Sequence, residues 1–220
     1  MIKKILFTLV TVLFFVPAFA QLEQGRHMLG LRTGLGFQLQ NSGITYSSNE
    51  SRVNWGTLGA EVGLSYYYIL TPHVGVGTDV SYGDYDGTNL TWSFTNTADD
   101  STKLFNAMLA ARFTANPAKP VRVYFPFGAG LVAARQNLSI HYHGTNYEKK
   151  KTDASLGYFI GVGMEFNFGR SAWALGLESR YNAFWYDTDK IVRGAPAPIH
   201  GDGNRKYEYF SFNINVSKRF

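Results

Sequence analysis

Eight stretches of this chain alternate between apolar and small or polar residues, and this period of two constrains the fold more than any other feature of the 220 residues. Successive side chains of a β-strand point to opposite faces, so strict alternation predicts strands that separate two unlike environments. Met28–Gln40 sets Leu29, Leu31, Thr33, Leu35, Phe37 and Leu39 against Gly30, Arg32, Gly34, Gly36 and Gln38. Thr57–Tyr68 and His73–Tyr82 repeat the scheme, with Val62 and Leu64 against Glu61 and Gly63, then Val76 and Val80 against Gly75 and Asp79. Leu104–Thr114, Val121–Ala134, Ser155–Phe168, Trp173–Tyr181 and Tyr209–Phe220 complete the set.

The connections alternate too. Those around Leu70–Pro72, Asn116–Pro117 and Gly169–Ser171 are tight, whereas Asn41–Asn54, Gly83–Thr102, Arg135–Asp153 and Asp187–Lys206 are long and polar. Short turns at one end and long loops at the other predict an all-β, eight-stranded antiparallel up-and-down barrel. An even number of strands lets the sheet close on itself and leaves both chain ends on the short-turn side.

Alternation alone does not say which face is inside. An eight-stranded barrel is barely wide enough for its own side chains, so an interior of Phe, Tyr and Leu would overfill it, whereas glycines beside a few long polar groups would fit. The aromatics also segregate. Tyr66, Tyr68, Phe113, Phe125, Phe166, Phe168, Trp173 and Phe220 fall near the short turns, and Tyr82, Phe105, Tyr158, Tyr181 and Phe210 near the long loops. Two aromatic bands around an aliphatic middle are what a lipid-spanning barrel shows. The polar face carries Arg32, Arg112, Arg122, Arg180 and Arg219 with Glu61, Asp79, Glu165 and Glu178, groups that can neutralise one another in a narrow interior. Arg32, Glu61, Asp79, Glu178 and Arg180 are expected at mid-height; Arg112, Arg122, Glu165 and Arg219 are expected near the floor.

Residues 1–20 read as a separate unit. Lys3 and Lys4, an apolar run Ile5–Val16 and the small-x-small Ala18-Phe19-Ala20 form the three parts of a secretory signal peptide, so the mature chain is expected to be residues 21–220. Losing two lysines takes the net charge from +5 to +3. No dense basic patch of the kind nucleic acid needs is evident. There is no cysteine, which excludes disulfides and thiolate metal sites, and nothing after residue 20 approaches a transmembrane helix. The 14 Tyr, 17 Phe and 23 Gly suit a barrel with lipid on one face and a crowded lumen on the other.

The last segment ends in alternating Phe210, Phe212, Ile214 and Val216 and a terminal Phe220, and it resembles the C-terminal assembly signal of bacterial outer-membrane proteins. Lys218 departs from that signal, where an apolar residue is usual; near an interface a lysine can snorkel. With the glycine-alternating strands, residues 21–220 resemble the OmpX/OmpA-like outer-membrane β-barrel family. The resemblance implies residence in the Gram-negative outer membrane, insertion by the outer-membrane assembly machinery, contact with outer-membrane lipid and lipopolysaccharide, and a monomer. The chain stops at its last predicted strand, so no periplasmic peptidoglycan-binding domain of the OmpA kind is expected.

Activity is less legible. Eight strands leave no wide aqueous lumen, so the interior charges are expected to plug the barrel rather than line a pore. Catalysis on lipid A would need a nucleophile, a base and an orienting acid, and the one close histidine pair, His141 and His143, lacks the His-x-Ser-Asn pattern of the deacylase family. That pair, and likewise Asp187 with Asp189, falls short of a usual metal-ligand set, and no cofactor is expected. Leu90-Thr-Trp92-Ser-Phe94 and Leu138-Ser-Ile140-His-Tyr142 alternate within the long loops, either as a sheet protruding towards a host surface or other ligand or as loops packed over the mouth. The second segment is out of step with Leu131 and Ala133, which predicts a bulge near Arg135–Gln136. Lys149, Lys150 and Lys151 are expected near the external rim, where they would contact lipopolysaccharide phosphates or remain solvated.

Overall fold

A computed structural model describes residues 26–39, 44–46, 51–53, 58–86, 90–93, 96–142, 144–168, 172–195, 199–201 and 203–220. Residues 1–20, expected to form a signal peptide, lie outside these. Alternation becomes eight barrel strands: β1 (His27–Gln38), β2 (Leu58–Thr71), β3 (Val74–Asp86), β4 (Asn96–Thr114), β5 (Val121–Tyr142), β6 (Thr145–Asn167), β7 (Trp173–Asp187) and β8 (Asn204–Arg219). Each pairs antiparallel with its sequence neighbours, and β8 returns to β1 through a ladder from Met28–Arg219 to Gln38–Tyr209, so the sheet closes. Backbone bonds between His27 and Phe220, at 2.9 and 3.0 Å, extend that seam to the chain's last residue.

The tight turns are built by local polar groups. Thr71 Oγ1 accepts the backbone N–H groups of His73 and Val74 between β2 and β3. Asn116 does the equivalent between β4 and β5, donating to the Val121 carbonyl and accepting from Val123 N. At the other end, β5 and β6 form one hairpin whose turn passes through Gly144, with a φ of +78° that suits a residue without a Cβ. A short strand Leu90–Ser93 lies along the far end of β4. Ile199–Gly201, Ile44–Tyr46 and Ser51–Val53 form a separate three-stranded sheet.

Across the middle of the barrel the outer face is apolar and exposed, with Leu109, Leu131, Val162, Leu177 and Ile214 among its members. A continuous apolar belt of this height is stable only against lipid. The two aromatic bands flank it: His27 stacks with Tyr66 and Phe220 at one end, and Tyr181 packs edge-on against Phe210 at the other.

Beyond the upper band the polarity turns inside out. No bulge interrupts β5 at Arg135–Gln136: its register with β4 runs unbroken from Thr114–Tyr124 to Thr97–His141. Leu138 and Ile140 therefore keep the inward parity of Val132 and Ala134, and all four are buried, while Arg135, Ser139 and His141 face out. The change in pattern that predicts a bulge marks a change of surroundings. Below the rim the outside is lipid; above it the outside is water, so the apolar residues move inward along a straight strand.

Candidate functional site

The lumen holds two charged layers. In the middle one, Arg32 on β1 reaches Glu61 Oε1 at 3.1 Å and Asp79 Oδ2 at 2.6 Å. Arg180 on β7 reaches the same Asp79 oxygen at 3.0 Å and pairs through Nε with Glu178. Tyr85 donates to Glu61 at 3.4 Å, and Tyr124 donates to Glu178 at 2.9 Å. All of these residues are buried. Gly63 makes room for the layer: a Cβ there would fall on the Arg32 guanidinium.

The floor layer gathers around Glu165 on β6. Arg112 meets its Oε2 at 2.6 Å, Arg219 pairs with Oε1, and Arg122 approaches at 3.6 Å. Arg219 also donates to Asn167 at 2.6 Å. The Arg112 guanidinium lies 3.7 Å over the Tyr124 ring, which ties floor to middle because Tyr124 also holds Glu178. Tyr85 and Tyr124 also belong to these layers; both stand on the polar parity of their strands and so point inward, but their aromatic character does not mark them as partners of the charges. Burying this many charges is tolerable only because each meets an opposite one, and the result is a crosslinked plug of side chains across the lumen.

Above the plug the lumen is apolar. Leu104, Val132, Leu138, Ile140, Phe184 and Tyr207 form a core, and the short helix α1 (Asp189–Val192) inserts Ile191 and Val192 into it. Tyr147 fastens this lid by donating to the carbonyls of Ile191 and Arg193, both at 3.2 Å, and Lys149 donates to the Arg193 carbonyl. Asp100 sits in the same wall with neither carboxylate oxygen hydrogen-bonded. Burial, reinforced by the charge of Asp99, pushes its carboxyl up to about 8.

The remaining candidates scatter. Lys149, Lys150 and Lys151 lie on β6 seven to nine residues beyond Tyr158. At ~3.3 Å per residue and a ~40° tilt this puts them roughly 20 Å above the aromatic band, not at the rim. Lys149 is occupied by the lid and Lys150 is exposed. His141 is exposed and pairs with Asn146; His143 lies outside the described residues. Asp187 and Asp189 serve the lid, accepting the backbone N–H groups of Asp189 and Gly203 respectively. Among the described residues no three of His, Asp or Glu cluster as metal ligands would. Phe210, Phe212, Ile214, Val216 and Phe220 all face outward on or beside β8, and Lys218 is buried with its ammonium 5.2 Å from the Trp173 ring.

A family described as outer membrane protein beta-barrel domain matches residues 6–220. No curated protein sequence matches. Among solved structures, OprG from Pseudomonas aeruginosa is 10% identical, with 91% of this chain and 99% of that one covered, at a TM-score of 0.54. The attachment invasion locus protein Ail of Yersinia pestis is 13% identical over 90% of this chain and 100% of its own, at 0.49. The outer membrane protease OmpT from Escherichia coli is 11% identical over 94% and 99%, at 0.45.

Proposed function

Because this chain belongs to the outer membrane protein β-barrel domain family, we propose that it is an occluded outer-membrane barrel that presents its long external hairpins as a structural or adhesive contact surface. The observation that carries this reading is the unbroken continuation of β4, β5 and β6 above the aromatic band. A loop that merely closed the mouth would not need paired strands of such length. The extension has its own apolar core, so its outward face is held rigid and polar, with Asp99, Ser139, His141, Glu148 and Lys150 exposed. Leu90–Ser93 pairs with β4 alone among the described residues, leaving an edge that an extended segment of another protein could join.

Two closures in series, the charged layers and the lid, weigh against transport. The test is adhesion of cells displaying the chain to immobilised matrix glycoproteins, glycosaminoglycans and cultured epithelial cells. Replacing Gln136–Lys151 by an Asn-Gly turn should abolish attachment while the barrel still shifts on gels when boiled. Attachment no better than that of barrel-free cells would refute the contact role. So would a modified lipid A product above a heat-denatured control, which favours an enzyme, or steady unit conductance in planar bilayers, which favours a channel.

A further inference from the structure

The outer face of β4 and β5 sets two cations directly opposite each other at the upper edge of the lipid belt. Lys103 and Arg135 are register partners, and both point outward. Lys103 stands two residues beyond Phe105 of the upper aromatic band, and Arg135 four beyond Leu131. Their other cross-strand neighbours are Asp84, which meets Lys103 at 2.9 Å, and the uncharged Thr152. Like charges placed opposite one another on a sheet repel, and one carboxylate answers only one of the two cations. Arg135 is exposed and has no ion-pair partner among the described residues.

Directly beneath the pair, small residues surround one projecting side chain. Ala107, Ala129 and Ala133 face outward there, and Leu131, with Ala107 and Leu156 as its cross-strand neighbours, stands 61% exposed. Phe105 stands opposite Ala133 and Tyr158 opposite Ala129, which leaves open space beside Leu131 between them. An apolar surface with open space around Leu131, topped by two opposed cations at headgroup height, matches a molecule with acyl chains below and a doubly charged anionic head above.

We propose that Lys103 and Arg135 bind the phosphate of a phosphomonoester lipid in the outer leaflet, whose acyl chain packs beside Leu131 over Ala107 and Ala133. A dianion bridging the pair relieves their repulsion more fully than a phosphodiester monoanion, and the guanidinium can present two parallel N–H donors to it. The lysines at 149–151 stand too far above the belt to reach such a phosphate.

Native mass spectrometry of the folded mature barrel, loaded with phosphatidic acid, phosphatidylglycerol or phosphatidylcholine, tests this. Phosphatidic acid should be retained best. Lys103→Gln and Arg135→Gln should each reduce its retention about fivefold, the effect of removing one cation near an anionic lipid surface. Ala133→Trp, which fills the space beside Leu131 without changing charge, should also reduce it, and Lys150→Gln should not. Equal retention of phosphatidylglycerol, an equal loss in Lys150→Gln, or undiminished binding in Arg135→Gln would overturn the proposal.

Discussion

Asp79 and Arg180 are 101 residues apart in sequence and 3.0 Å apart across the lumen. They stand on β3 and β7, opposite walls of an eight-stranded ring, so their contact braces the barrel across its diameter. Arg32 shares the same carboxylate oxygen.

Removing that carboxylate leaves two buried guanidiniums with less than their share of negative charge. Asp79→Asn should therefore destabilise the barrel by about 3–5 kcal/mol, the usual effect of breaking a buried ion pair from one side. Urea titration of the barrel folded into phospholipid vesicles measures this. A loss below about 1 kcal/mol would mean that the layer is solvated and behaves like a surface pair.

The lumen also depends on glycines that give way to large side chains. A Cβ at position 163 would fall on the Tyr124 ring. Gly163→Ala should cost about 1–3 kcal/mol by overpacking. Tyr124→Ala should cost stability as well, by freeing Glu178 and uncovering Arg112. The double variant should be less destabilised than the sum of the two, because the alanine at 163 then has room. Simple additivity in the same urea assay would place the ring elsewhere.

Much of this was legible beforehand because lipid imposes a strict rule on every second residue. Strand count, the tight turns and the inward parity of Arg32, Asp79 and Arg180 follow from alternation, whereas Arg135–Asp153, expected as a long loop, is paired strand almost to the turn at Gly144. The rule fails where lipid ends. Leu138 and Ile140 are out of step with Leu131, yet the strand beneath them is straight; only the solvent outside has changed. Helix α1, at four residues, is too short to leave any periodicity. The height of Lys149–Lys151 depended on how far β5 and β6 stay paired, which polar loop composition does not reveal. The opposition of Lys103 and Arg135 depends on register between two strands, which neither strand's sequence carries by itself.

The unpartnered Asp100 makes the external hairpins sensitive to pH. Its carboxyl ordinarily releases its proton near pH 3.9, but in the folded hairpin holds it to about 8. Between those values the folded form binds more protons than the unfolded one, so stability is greatest below the lower value and falls as pH rises towards the upper. Hydrogen exchange at Leu138, the register partner of Asp100, should report local opening that grows at least about tenfold from pH 5 to pH 8, after correction for intrinsic exchange. Asp100→Asn should remove that slope. A slope unchanged in the variant would assign the titration to another group.

The lid and the charged layers cross the lumen at different heights, and one substitution should separate their effects. Ile191 is buried among Leu138, Ile140 and Tyr207, none of which offers it a cation. Ile191→Asp would bury an unpaired carboxylate there, which costs several kcal/mol, more than α1 can recover from Tyr147 and Lys149. The lid should therefore swing out, and limited proteolysis between Thr188 and Gly201 should accelerate at least about tenfold. The barrel should survive, because its ladders and both charged layers lie below the change, so the unboiled gel mobility should match wild type. Planar bilayers should remain silent as well, since Arg32, Asp79 and Arg180 still span the lumen beneath the opened mouth. Conductance appearing in Ile191→Asp alone would make the lid the true gate and reduce the charged layers to a lining.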